Sequence, residues 1–327
     1  MQTPGRIASL LASATEILYA LGLADQVVAV GHECDFPPEV RTKPRATFTN
    51  IAIAAGSQAI DDQVRDLLSE GRPLYEIDQG LLVSLAPDLI VTQAQCDVCA
   101  VKYDDVMEFV RGEPALHGTQ VVALNPTRLE DLFADIERVA HATGRLPQAE
   151  TYIAQLRGRL ATVHERTSSL DPACRPVVGC IEWNEPLMLA ANWMPDLIEL
   201  AGGTQPFTRA GDHSACSSWD DFVAVDPDCI ILMPCGFDLE RTLVEARELQ
   251  RRAEWSRLKA VRTGRVFAVD GNAYFNRSGP RLVDSLEILG RLLHPQLFDG
   301  SNHAAGEDGI WRRLSSGAIS VAVAEPE

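Results

Sequence analysis

Apolar residues along the chain arrive in two rhythms. Ile7-Ala8-Ser9-Leu10-Leu11 is an almost unbroken apolar run, the mark of a strand buried on both faces. Ser13-Ala14-Thr15-Glu16 follows and fits a capping box. Ile17, Leu18 and Leu21 then supply a helical stripe, and Gly22 suits the left-handed residue that stops it. Short strands are predicted again over 27–30, 89–92 and 121–124, the last two each after a stretch that reads as helix. Such alternation predicts an α/β fold with mainly parallel sheets covered by helices.

The second half repeats this grammar. Leu85-Ala86-Pro87-Asp88-Leu89-Ile90-Val91 is echoed by Val225-Asp226-Pro227-Asp228-Cys229-Ile230-Ile231, where proline ends a helix and the apolar residues after it start a strand. Gln120-Val121-Val122-Ala123-Leu124 is echoed by Arg265-Val266-Phe267-Ala268-Val269, and 177–181 opens the second half as 7–11 opens the first. Three echoes in one order predict two related Rossmann-like lobes, over 6–126 and 171–296, with the segment 127–170 linking them. In that linker Thr127-Arg128-Leu129-Glu130 has capping-box spacing, and Leu132, Phe133, Ile136, Val139 and Ala140 share one face. Beyond Gly144 and Pro147, Ala149, Tyr152, Ile153, Leu156, Leu160 and Val163 continue at helical spacing up to Ser168-Ser169. After Pro295 the pattern decays, so 297–327 reads as a tail.

Charge narrows the partners. With 46 acidic and 29 basic residues the net charge is −17, a field that repels nucleic acid and anionic lipid. No apolar run approaches the ~20 residues of a membrane helix, so membrane insertion is not expected. The opening residues Met1-Gln2-Thr3-Pro4-Gly5-Arg6 lead straight into the first strand without the pattern of a secretory signal, which predicts a cytoplasmic protein. On that reading the 8 cysteines are unbridged or metal-bound.

The residues of the first strand and helix, Arg6 through Gly22, resemble the opening of the iron-chelate and vitamin B12 periplasmic-binding proteins. Cys34-Asp35-Phe36-Pro37-Pro38-Glu39 resembles the cobalamin-binding branch, and Asp196-Leu197-Ile198-Glu199-Leu200-Ala201-Gly202-Gly203 and Gly279-Pro280-Arg281-Leu282 fit the same family. The likeness spans roughly 6–296. It implies two lobes bridged by one long helix, a small-molecule ligand between them, and delivery to an ABC-type permease. The stretch 47–85 is longer than the usual connection in that family.

Ligands of open parallel sheets meet the loops beyond the carboxyl ends of the strands. Here these loops offer Ser13, Thr15, Phe36 and Gln93 from the first half, and Trp183, Asn184, Phe237, Tyr274 and Phe275 from the second, with Trp193 and Trp219 at helix entries. Aromatic faces and a few hydrogen-bonding groups suit a flat macrocycle with an amide rim, and so cobalamin or a related corrinoid held by a carrier, a sensor or an importer's binding protein. A second set, His32, Cys34, Cys96, Cys99 and Cys235, has the soft chemistry that zinc or another soft transition metal favours. It supports the alternative of a metal-dependent or thiol-redox protein. No phosphate loop, Gly-x-Ser-x-Gly elbow or His-Glu-x-x-His helix is present, so no enzyme is expected.

Overall fold

The computed structural model describes residues 4–94, 100–298 and 309–314. The chain opens with β1 (Ile7–Ser9), α1 (Ala12–Ala20), β2 (Val27–Val30), β3 (Thr47–Thr49), α2 (Ser57–Ser69), β4 (Tyr75–Ile77) and α3 (Gln79–Leu85). It continues with β5 (Leu89–Gln93), α4 (Tyr103–Gly112) and β6 (Gln120–Leu124). In the first lobe the order β2-β1-β5-β6 makes a parallel sheet, with Ile7 opposite Val27 on one side and Leu89 on the other. Every residue of β1 and β5 is buried, as helices on both faces of a parallel sheet require. β3 and β4 pair antiparallel in a separate ribbon, and with α2 between them they form a strap over 47–77.

Two helices, α5 (Asp131–Thr143) and α6 (Leu146–Thr167), lead to the second lobe. There β7 (Val178–Trp183), β8 (Met188–Leu189), α7 (Met194–Leu200), β9 (Ala215–Cys216), α8 (Trp219–Val225) and β10 (Cys229–Leu232) follow. The chain then forms α9 (Leu239–Gln250), α10 (Lys259–Arg262), β11 (Val266–Val269), α11 (Leu282–Leu293) and β12 (Trp311–Arg313). The second sheet, ordered β12-β11-β10-β7-β8-β9, is parallel through β11, β10 and β7 and antiparallel at its edges. Two sheets joined by a helix of 22 residues match the expected architecture. One buried cluster runs through both lobes, from Ile7 and Leu89 past Ile153 and Leu156 of α6 to Cys229 and Ile231.

The repeated Pro-Asp signature has a geometric cause. Ala86 and Asp226 each end a helix in the left-handed region, at φ 42° and 51°. The next aspartates then clamp the start of the sheet's central strand: Asp88 Oδ2 accepts from Gly5 and Arg6 N–H, and Asp228 Oδ2 from Val177 N–H.

Three local expectations need correction. Ser13-x-x-Glu16 is no capping box, because α1 already begins at Ala12 behind Leu11, which makes no side-chain cap, and Glu16 is used elsewhere. The Thr127–Glu130 box is also replaced: Asp131 accepts from Thr127 and Arg128 N–H, and the helix starts there. Part of the presumed tail is sheet, since β12 pairs antiparallel with β11 and Trp311 packs edge-on against Phe267.

Candidate inter-lobe site

The carboxyl ends of β1, β2 and β5 face those of β7, β10 and β11, and the two rows of loops meet along two seams. At the first, Arg277 and Arg281 reach from the turn after β11 to the first lobe. Arg277 Nη1 lies 3.2 Å from Glu16 Oε1 and 2.5 Å from Asp35 Oδ1. Arg281 adds two bonds to the same Glu16 oxygen, at 2.6 and 3.1 Å. Burial pushes the Asp35 carboxyl up, but the hydrogen bond and charge of Arg277 outweigh it and hold it below its usual range. Arg277 is itself buried, and the two carboxylates more than offset its desolvation and keep it charged. Asn272 Nδ2 touches Asp35 at 3.4 Å, and Ser278 Oγ touches Ser13 Oγ at 3.4 Å.

At the second seam the strap of the first lobe lies on the second. Ile51, Ile60, Leu67 and Leu74 pack around Phe237, with Trp183 alongside. Arg241 donates to Ala55 O at 2.5 Å while its guanidinium sits 3.5 Å above the Phe237 ring. Glu245 of α9 accepts from Ser57 Oγ at 2.7 Å and from Asn184 Nδ2 at 3.4 Å. Beside this contact opens a cavity of about 740 Å³, lined by Ser57, Asp62, Asn184, Glu185, Glu248 and Arg252 among others.

Of the predicted aromatic ligand residues, Phe36, Tyr274 and Trp183 keep accessible surface. Arg281 lies 4.2 Å above the Phe36 ring and 5.4 Å from that of Tyr274. Glu33 is accessible, yet surrounding protein raises its carboxyl above the ordinary range, desolvation first, with Arg277 opposing and Asp35 adding.

The other predicted ligand residues are placed differently. Trp193 and Phe275 belong to the core, and Trp193 Nε1 donates to Phe275 O at 2.8 Å. Phe237 is covered by the strap, and Asn184 is buried against Glu245. Trp219 packs on Phe222 beneath Arg252, in the outer cluster of the second lobe. Ser13, Thr15 and Gln93 are buried, and Thr15 Oγ1 lies 2.8 Å from Ser9 Oγ and 3.1 Å from Cys34 Sγ.

Among the described residues the soft-metal candidates do not converge on a common site. Cys96 and Cys99 lie outside the described residues. His32 Nδ1 lies 2.8 Å from Thr47 Oγ1, its ring stacks on Tyr75, and burial followed by the charge of Arg45 lowers its pKa. Cys34 is buried in the first lobe, where burial pushes its thiol up to about 11 and the Thr15 hydrogen bond opposes only in part. A neutral thiol is a poor metal ligand and nucleophile. Cys235 is exposed, its amide donating to Glu182 O at 3.1 Å. Among the described residues no three His, Cys, Asp or Glu side chains converge to hold a metal. Six described cysteines are unbridged.

Residues 7–273 match the family described as Periplasmic binding protein. The chain belongs to that family. It is similar to YvrC of Bacillus subtilis, an uncharacterized ABC transporter substrate-binding lipoprotein, at 23% identity over 298 residues, covering 90% of this chain and 82% of that one. The periplasmic vitamin B12 binding protein BtuF of Vibrio cholerae shares the fold, with a TM-score of 0.64 and 22% identity, covering 91% of this chain and all (100%) of that one. So does the periplasmic heme-binding protein RhuT of Roseiflexus sp. RS-1, with a TM-score of 0.65 and 20% identity, covering 91% and 100%.

The family consists of substrate-binding proteins, so the chain is a binding protein and not an enzyme. The cytoplasmic expectation is overturned by the same comparisons, whose members are periplasmic proteins or a lipoprotein. The thiol-redox alternative finds no support in them or in the buried Cys34. Among the described residues no helix is long and apolar enough to cross a membrane.

Sequence reading missed the residues that join the lobes: Glu16, Asp35, Arg277, Arg281, Ser57, Arg241 and Glu245. Glu16, Asp35 and Arg281 stood inside the motifs that carried the family resemblance, and that was the available signal.

Proposed function

We propose that this chain binds a corrinoid of the cobalamin type in the recess between its lobes and presents it to an ABC-type permease. The observation that carries the reading is that Phe36 of the first lobe and Tyr274 and Trp183 of the second keep accessible surface, with Arg281 over both the Phe36 and Tyr274 rings. Aromatic edges and faces grip the apolar body of a macrocycle, while a polar recess suits its amide rim. The vitamin B12 binding protein of Vibrio cholerae supports this choice by likeness of fold, and the heme-binding relative widens it to flat metal chelates as a class.

The test is titration of the purified full chain with cyanocobalamin, and separately with hemin, followed by absorbance and calorimetry. Saturable one-to-one binding of cyanocobalamin at on the order of −8 kcal/mol or better supports the reading. Binding of hemin alone moves the ligand to the heme class. Absence of heat and of spectral change with both sinks the proposal.

A further inference from the structure

Helix α2 has no cap of its own. Its N-cap position is Gly56, which carries no side chain, so the first amides of the helix need an acceptor from elsewhere. The acceptor comes from the other lobe. Glu245 lies 3.4 Å from Ser57 N and accepts the Ser57 hydroxyl at 2.7 Å, so a carboxylate of α9 meets the positive end of α2. Asn184 Nδ2 faces the same carboxylate and holds it in place. This contact is buried, with Ser57 at 4%, Asn184 at 4% and Glu245 at 8% exposure.

The strap that α2 belongs to is rooted firmly on the first lobe. Asp78 N–H donates to Ala46 O, Thr47 holds His32, and Tyr75 stacks on His32. Its apolar tip rests instead on Trp183 and Phe237, at the carboxyl ends of β7 and β10. While it rests there, Phe237 is only 1% exposed. A planar ligand can lie against Phe237 only after the strap lifts.

The two seams differ in kind. The first pairs two guanidinium groups with two carboxylates. The second relies on the Glu245 carboxylate, held by a hydroxyl, an amide and the Ser57 N–H, on the Arg241 guanidinium, which bonds Ala55 O and covers Phe237, and on an apolar contact. Its two charged groups are bonded to neutral partners rather than linked in a network, and such contacts yield before a network of buried ion pairs does.

We propose that the strap over 47–77 is the gate of the ligand cleft and that Glu245 is its latch, opening at the second seam while the first stays joined. This rests on the cleft being the ligand site.

The experiment compares wild type, Glu245→Ala and Ser57→Ala as full chains, the serine variant carrying the test if the glutamate variant fails to fold. Without ligand, amide exchange over 51–69 should quicken about ten-fold or more, with exchange over 178–183 and 266–269 unchanged. Hydroxyl-radical oxidation of Trp183 and Phe237 should rise in parallel. With cyanocobalamin, both association and release should quicken. Unchanged strap exchange overturns the latch. Faster strap exchange without greater oxidation of Phe237, or without change in ligand rates where ligand binds, overturns the gate. If wild type binds no cyanocobalamin, the ligand assignment alone fails, and exchange and oxidation still decide the gate.

Discussion

Arg281, in the turn before α11, donates to Glu16 in α1 at 2.6 Å, and Glu16 is only 4% exposed. Arg277 shares that oxygen, so one carboxylate of the first lobe anchors two cations of the second. Removing one partner of a buried charge set leaves the others uncompensated. Arg277→Met is therefore expected to cost about 3–5 kcal/mol in urea unfolding. The exposed Arg157–Glu130 pair is the internal control, and Glu130→Gln should cost less than about 1 kcal/mol. Equal effects of the two variants would show that the seam does not hold the lobes together.

Two groups give opposite pH dependences. Burial keeps His32 neutral in the folded protein, while the unfolded chain takes up that proton near about pH 6.5. The unfolded state then binds more protons, so stability is lost as pH falls from about 6.5 through the lower folded value. His32→Gln should flatten this slope below about pH 6.5, read by denaturant midpoints.

Asp135 runs the other way. Burial pushes its carboxyl up to about 6, with Arg138 and the Asn125 amide opposing. The folded protein holds that proton where the unfolded chain, near about pH 3.9, has released it. Stability from this group is present at low pH and lost as pH rises through about 6. Asp135→Asn should therefore compare more favourably with wild type at neutral pH than at pH 4, read by denaturant midpoints. A difference that does not vary with pH would contradict the assignment.

The two tryptophans near the cleft should separate stability from binding. Trp193 is 6% exposed, with its indole N–H satisfied inside the core. Trp193→Ala is expected to cost about 3–5 kcal/mol of stability. Trp183 sits half-buried at the end of β7, and its replacement by alanine should weaken cyanocobalamin binding by about 1 kcal/mol or more with a smaller loss of stability. Melting curves and titrations of both variants decide this; the reverse pattern would move the ligand away from Trp183.

Thiol labelling checks the cysteine placement. Cys174, Cys216 and Cys235 are exposed and should react with iodoacetamide in the native protein. Cys34 and Cys229, with thiols pushed up to about 11 and about 12 by burial, should react only after unfolding, as should the buried Cys180. Mass spectrometry of labelled peptides reads the outcome directly, and fast native labelling of Cys34 would place it at an open site.

The apolar rhythm alone determined the layered fold. Runs such as 89–91 and 229–231 bury both faces of a strand, and the stripe through Ile153 and Leu156 buries one face of α6, because periodicity states which sides of an element leave water. The Pro-Asp repeat was legible for the same reason, since its left-handed turn and its clamp involve few residues. Only the tertiary structure decided the work of Glu16, whose spacing from Ser13 imitates a cap while its partner Arg277 lies 261 residues away. It also decided that Phe237 is covered by the strap and that Cys34 is a neutral buried thiol. These outcomes depend on which distant side chains share one low-dielectric space, and local spacing carries no information about charge and burial contributed from the opposite lobe.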